Sequence, residues 1–250
     1  MKLSIVTINY NNADGLKKTL KSVEVLLSDL SIEHIIIDGG SVDGSLFEIE
    51  NYSRVNPRVI CKSEADSGIY NAMNKGIALA RGEYVAFLNS GDCLSANMTS
   101  KGISEIFGEY SGADGIYGNV RFRKSMGRVS RIWVSAQARR WRFLYGWMPP
   151  HPMLLVRKEL FESYGTFDEK FKIAADYDLI IRFFFKHRCS LEFANRTFVD
   201  MEDGGISNGS LRQVMKANTE VLASWSKYFF PFVPIWIFIC KPLSKIRQLV

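Results

Sequence analysis

An α/β fold, with a doubly wound, mostly parallel sheet flanked by helices, is predicted by three features of the chain. Short apolar runs recur at Leu3 to Ile8, Glu33 to Asp38, Val59 to Lys62 and Tyr84 to Leu88. They are near-continuous rather than alternating, as strands covered on both faces are. Segments of helical period lie between them, and strand–helix alternation at this spacing implies right-handed crossovers.

Taken in order, Leu3 to Ile8 ends in the turn Asn9-Tyr10-Asn11-Asn12, and Leu16, Leu20, Val23 and Leu27 then mark a helix face. Glu33 to Asp38 runs into Gly39-Gly40-Ser41-Val42-Asp43-Gly44-Ser45, too rich in Gly and Ser for regular structure. The stretch from Ser63 to Asp92 organises the rest. It opens with a polar loop carrying Glu64, Asp66 and Gly68, and continues through Ile69, Ala72, Met73, Gly76, Ile77 and Ala80 on one helix face. Gly82 stops that helix, and the strand Tyr84 to Leu88 empties into Asn89-Ser90-Gly91-Asp92. In open α/β sheets the carboxyl edge of the strands is where ligands bind.

Beyond Asp92 the rhythm loosens. Ile116 to Gly118 and Val120 to Arg123 predict further strands, antiparallel ones among them. Met153 to Val156 predicts another, and Lys158 to Tyr164 a helix closed by Gly165. Asp176 and Asp178 open a helical run through Leu179, Ile180, Phe183 and Phe184. Met201 to Ser210 reads as a loop and the following segment as a helix through Ser224, with the apolar Tyr228 to Cys240 behind it.

A length of 250 residues with 47% hydrophobic residues fits one folded domain with an appendage. Cys61, Cys93, Cys189 and Cys240 show no metal-ligand spacing, and Met1-Lys2 leads directly into an apolar run too short for a signal peptide. Both predict a cytoplasmic protein with reduced thiols. The net charge of +6 is uneven: no acidic residue lies between Arg121 and Arg157, and none follows Glu220. Such surfaces suit anionic lipid, phosphorylated substrates or nucleic acid. The basic stretch interleaves Trp133, Trp141, Phe143, Tyr145 and Trp147, but no nucleic-acid motif accompanies it, and no nucleic-acid partner is expected.

Several side chains are candidates for chemistry. Asp38 at a strand end can accept hydrogen bonds from a nucleobase or ribose, or with Ser41 it caps the next helix. GxGxxG is absent, which argues against a dinucleotide site. Asp92 can hold a divalent cation whose other ligands are phosphate oxygens and water, or it is a turn residue. Asp176 and Asp178, two apart on a helix, point to different sides, so at most one faces a substrate and the other is a structural acceptor or a cap. His151, stiffened by Pro149, Pro150 and Pro152, reads as packed, or as a contact for phosphate or metal. Tyr228 to Cys240 has 13 residues, short of the roughly 20 of a spanning helix. Followed by Lys241, Lys245 and Arg247, it reads as an interfacial anchor on an anionic membrane or as a packed terminal segment.

Four segments in this order, SIVTINYNN, IIIDGGSVDGS, SEADSGIYNAMNKGIALARGEYVAFLNSGD and HPMLLVRKELFESYGTFDEKFKIAADYDLIIRF, resemble the family 2 glycosyltransferases of GT-A fold. The resemblance spans Met1 to Ser210 and implies an inverting, metal-dependent, hexosyltransferase-type enzyme. It would use a nucleoside diphosphate sugar donor and a glycan or lipid diphosphate acceptor in surface glycan biosynthesis. It implies residues 1–95 as the nucleotide-sugar half and 96–210 as the acceptor and catalytic half; beyond it, the composition of 211–250 reads as a helical tail, either membrane-associated, which would keep the protein peripheral at the inner face of the cell membrane, or packed on the domain. By motif, Thr7, Tyr10, Asp38, Asp66, Asn74, Lys75 and Ser90 would hold the donor, Asp92 the Mn²⁺ or Mg²⁺, and Asp176 would be the base. Asn89 and Gly91 stand where many relatives have Asp, and Ala175 where a Glu is usual. Gly204 to Ser207 resembles a loop that closes over the sugar. A non-catalytic nucleotide-sugar-binding regulatory or scaffold subunit is the alternative.

Overall fold

The computed structural model describes residues 1–124, 128–202 and 211–229. Its elements are β1 (Leu3–Asn9), α1 (Ala13–Glu24), β2 (Ile32–Asp38), α2 (Ser45–Val55), β3 (Val59–Ser63), α3 (Ile69–Leu79), β4 (Tyr84–Phe87) and β5 (Cys93–Leu94). Then follow α4 (Ser100–Glu109), β6 (Gly115–Arg123), β7 (Val129–Trp133), α5 (Arg140–Phe143), β8 (Leu155–Arg157), α6 (Lys158–Tyr164), α7 (Ala175–Ile180), a π-helical continuation (Ile181–Lys186), β9 (Leu191–Glu202) and α8 (Leu211–Phe229).

Eight strands lie in the order β3-β2-β1-β4-β8-β6-β9-β5, with β7 hanging from β6. β3, β2, β1 and β4 are mutually parallel, as expected. The remainder is mixed: β8 is antiparallel to both neighbours, whereas β6 and β9 run parallel. Two predicted strands, Ile116 to Gly118 and Val120 to Arg123, are one strand with register shifts around Asn119.

β1 and β2 are buried along their whole length. Ile35 and Ile37 share a cluster with Val6, Met73 and Ile77 of α3, while Ile36 packs with Leu16, Leu20 and Ile49 of α1 and α2 on the opposite face. Gly76 lets α3 close on β1, since a Cβ there would come within 2.3 Å of Val6 Cγ1. The polar members of β2 are accommodated individually. Glu33 accepts from Ser4 Oγ (2.6 Å) and the Arg81 backbone (2.7 Å). His34 sits between Thr7 Oγ1 (2.8 Å) and Tyr52 Oη (3.1 Å), and burial pushes its imidazole down to about 3, so it is neutral.

The expected boundary at residue 210 does not separate α8 from the domain. Val221 and Trp225 are buried in the cluster that holds β1 and α3, and Trp225 Nε1 donates to Tyr177 Oη (2.9 Å). This part of the appendage is integral because its apolar face completes the core over α7. The rest of the tail and the loop at Gly204 to Ser207 lie outside the described residues. No helix among the described residues is long and apolar enough to cross a membrane.

Candidate active site

Parallel register brings Asn9, Asp38 and Ser63 to one level at the carboxyl ends of β1, β2 and β3. The Asp38 carboxylate is fully buried and accepts from Asn9 Nδ2 (2.9 Å), Ser41 Oγ (2.6 Å), Ser41 N (2.9 Å), Gly40 N (3.1 Å) and Ser63 Oγ (2.7 Å). Burial works against its charge, but the donors from Ser41, Asn9 and Ser63 outweigh burial and hold its pKa below the usual carboxylate value. A carboxylate offers about four lone-pair sites, so none is left for a nucleotide. In this arrangement Asp38 shapes the 39–41 loop, and Thr7 is fully buried with its hydroxyl on His34.

Tyr10 and Asp66, in contrast, come together over Gly39. Tyr10 is 67% exposed, and a Cβ on Gly39 would lie 3.1 Å from Tyr10 Cδ2 and 2.7 Å from Asp66 Oδ2. With no side chain on Gly39 both close on its backbone, and the surface they frame, an aromatic ring on one side and a carboxylate on the other, is the candidate donor cradle. Asp66 is steadied by Gly68 N (2.9 Å). Lys75 braces this loop from below through Ala65 O and Glu64 (both 3.0 Å). Asn74 bonds Phe167 O (3.0 Å) and Glu169 (2.9 Å), so both residues support the loops rather than face the cradle. Ser90 Oγ reaches Asn12 O (3.3 Å) and ties the turn after β4 to the turn after β1.

Asp92 closes that turn. Gly91 N donates to Thr19 Oγ1 (3.0 Å) and Thr19 Oγ1 donates to Asp92 O (2.7 Å), which locks the turn on α1. The Asp92 carboxylate is 8% exposed and receives no hydrogen bond among the described residues. Burial, then the charge of Glu202, raise it to about 7. A buried acid without a donor is stabilised by a cation, so a divalent ion fits this position. No cluster of three or more His, Cys, Asp or Glu stands ready for a metal among the described residues. Asp92 would thus be one ligand among phosphate and water oxygens.

Asp176 enters from the other half of the chain, in the first turn of α7. Its Oδ1 lies 3.4 Å from Tyr70 Oη of α3 and its Oδ2 3.4 Å from His151 Nδ1. Asp178, two residues on, is fully buried and accepts from Ser224 Oγ (3.1 Å) and Tyr228 Oη (3.0 Å) of α8. It is the structural acceptor of the pair. Two carboxylates that sequence reasoning passed over set the position of Asp176. Glu169 gathers Ser67 Oγ (3.3 Å), Asn71 Nδ2 (3.1 Å) and Asn74 Nδ2 (2.9 Å), which joins the Asp66 loop to the chain leading to α7. Glu220 of α8 accepts from the backbone N–H groups of Lys172 (3.0 Å), Ile173 (2.8 Å) and Ala174 (2.9 Å). Neither has a local signal, because each acts across a gap of tens of residues.

The parallel half-sheet, the cradle at its carboxyl edge and the carboxylate delivered from the mixed half are those of a GT-A glycosyltransferase. Residues 4–165 match glycosyl transferase family 2, and the chain belongs to that family. It is 35% identical over 191 residues to an uncharacterized glycosyltransferase of Mycobacterium tuberculosis, covering 72% of this chain and 68% of that one. To a PGL/p-HBAD biosynthesis glycosyltransferase of Mycobacterium bovis it is 30% identical over 179 residues, covering 70% of this chain and 68% of that one. Among solved structures, Staphylococcus aureus TarS residues 1–349 with UDP-GlcNAc superposes with a TM-score of 0.69 at 16% identity, over 92% of this chain and 68% of that one. The mannosyltransferase PcManGT of Pyrobaculum calidifontis, with GDP-Man and Mn²⁺, gives a TM-score of 0.61 at 15% identity, over 98% of this chain and 68% of that one. At such identities the two structures support the fold alone.

Proposed function

We propose that this glycosyltransferase moves one sugar from a nucleoside diphosphate sugar to a glycan or lipid diphosphate acceptor, with inversion at the anomeric carbon. The observation that carries this reading is the pairing of an open cradle at Tyr10, Gly39 and Asp66 with a carboxylate, Asp176, held at the same edge through Tyr70. The nucleobase would lie on the Tyr10 ring, with Asp66 accepting from base or ribose. Asp176 would take the proton of the acceptor hydroxyl as its oxygen bonds to the anomeric carbon. The bond from that carbon to the diphosphate breaks on the opposite face, and the nucleoside diphosphate leaves. Asp92 would hold Mn²⁺ or Mg²⁺, which when bound supplies positive charge to the departing diphosphate.

A membrane-borne acceptor is supported by the flank around α5. Trp141 and Tyr145 are 55% and 52% exposed there, and Arg139, Arg140 and Arg142 have no carboxylate within ion-pair reach among the described residues. Phe185 lies 5.0 Å from Phe229, the last described residue of α8, and 6.2 Å from Phe143 of α5. The basic, aromatic flank and the point where the apolar tail begins are therefore neighbours, as a cytoplasmic enzyme peripheral to an anionic membrane requires.

Calorimetry with UDP, GDP and dTDP, with and without Mn²⁺, tests the donor site. One nucleotide should bind, more tightly with metal, and lose that metal dependence in Asp92→Ala. Binding of none would overturn the donor-site reading. Asp176→Ala separates an enzyme from a nucleotide-sugar-binding subunit, since it should stop turnover and spare donor binding.

A further inference from the structure

His151 lies outside the donor cradle and the base itself, yet its ring approaches the second oxygen of Asp176. Its Nδ1 is buried, makes no hydrogen bond among the described residues and sits 3.4 Å from Asp176 Oδ2. A buried nitrogen without a partner is unfavourable, and the carboxylate within ion-pair reach of it among the described residues is this one.

Tyr70 stands at the other oxygen: its hydroxyl donates to Ile173 O at 2.7 Å and reaches Asp176 Oδ1 at 3.4 Å, which ties the carboxylate to the start of α7. The imidazole, in contrast, is fixed independently of Asp176. The loop after it is pinned by Met153 N to Phe87 O (2.8 Å) and by Leu154 N to His151 O (3.1 Å), with Met153 at a φ of +55°. Pro150 and Pro152 are buried on either side, and the Trp133 ring stands edge-on to the imidazole, with centroids 6.4 Å apart.

We propose that His151 is a positioning residue for the transfer reaction: its ring donates Nδ1–H to Asp176 Oδ2. The inference rests on the reading of Asp176 as the base. The donation holds the carboxylate plane and leaves the outer lone pair of the same group for the acceptor proton. Such bonds are long in the free enzyme and shorten when substrate arrives, and orienting partners of this kind typically contribute 10–100-fold.

The chain has three histidines, so ¹⁵N imidazole spectra resolve them individually. His34 and His187 are distinguished by His34→Asn and His187→Asn controls. The expected result is a His151 ring protonated on Nδ1 in the wild type, and a shift to the Nε2-protonated form in Asp176→Asn. Unchanged tautomer signals in Asp176→Asn would overturn the contact, with no substrate needed. Kinetics then uses UDP-GlcNAc and GDP-mannose, read as release of UDP or GDP to water. His151→Ala should lower kcat about 10–100-fold with KM for the donor within roughly twofold, and His151→Asn, whose amide reaches the Nδ1 position, should recover most of it. Equal loss in both His151 variants, or wild-type kcat in His151→Ala, would overturn the positioning role while an inactive Asp176→Asn leaves the base in place. Turnover retained in Asp176→Asn would instead remove the base reading itself.

Discussion

Removing the Glu220 carboxylate should unhinge the segment that delivers Asp176. In Glu220→Ala, three backbone N–H groups at Lys172, Ile173 and Ala174, now bonded at 2.8–3.0 Å, lose their acceptor. A hydrogen bond to a charged group contributes about 1.5–3 kcal/mol net. Lys172 is exposed, so water replaces its bond, whereas Ala174 is buried and its N–H would be left unsatisfied. The expected loss is about 2–4 kcal/mol. At about 2–4 °C per kcal/mol for a chain of this size, Tm should fall by roughly 4–16 °C. Glu220→Gln keeps one accepting oxygen and should lose about half as much. Thermal unfolding followed by circular dichroism reads both variants, and donor calorimetry should show the nucleotide still binding, since Tyr10 and Asp66 are anchored elsewhere. A Tm for Glu220→Ala within about 1 °C of wild type would refute the idea that α8 holds the entry to α7.

Three further outcomes follow from the same geometry. Gly39→Val places a side chain between Tyr10 and Asp66 at a position with no positive φ, so nucleotide affinity should fall at least about tenfold, or 1.4 kcal/mol, with Tm little changed; unchanged affinity by calorimetry would show that the nucleotide lies elsewhere. Asp178→Ala breaks the tie to Ser224, Tyr228 and Lys227 and should cost about 3–5 kcal/mol in urea unfolding, with a loss under about 1 kcal/mol showing that α8 is held without it. Asp92, raised to about 7, binds its proton more tightly in the folded chain than in the unfolded one, so its contribution without metal is favourable at low pH and fades as pH rises toward 7. Asp92→Asn should therefore match wild type near pH 4 and exceed its Tm near pH 8; an equal offset at both values would contradict the burial argument.

The parallel half of the sheet was legible because a strand covered on both faces is apolar over most of its length, as β4 is throughout, β2 over Ile35 to Ile37 and β1 at Leu3, Ile5, Val6 and Ile8. The missed elements fail it. β9 carries Glu192, Asn195, Arg196 and Thr197 among its apolar residues, and register shifts against β6 break the two-residue period that reveals a half-buried strand. α2 starts at Ser45, inside a stretch whose Gly and Ser content argues against regular structure, and buries only Ser45, Ile49 and Tyr52. α4 buries Gly102, Ile103 and Ile106, a stripe too narrow to separate from a loop.

Site residues divide along the same line. Motif order placed Asp38 and Asp92 after strands, Asp66 in the loop before α3 and Asp176 in the helical segment, and the backbone has them there. Local pattern and turn chemistry suffice for that, because they determine where the backbone stops being regular. Whether each carboxylate is free to act depends on which donors reach it. Asp38 is saturated by Asn9, Ser41 and Ser63, Asp92 is left without a donor among the described residues, and Asp176 stands between Tyr70 and His151. Those partners come from strands and loops distant in sequence, joined by parallel register and by α8 closing on α7. By itself, then, the sequence determined the layers of the fold, the family and the candidate acids. Only the tertiary structure decided which acids support the site and which face it, because hydrogen-bond satisfaction is a property of neighbours in space.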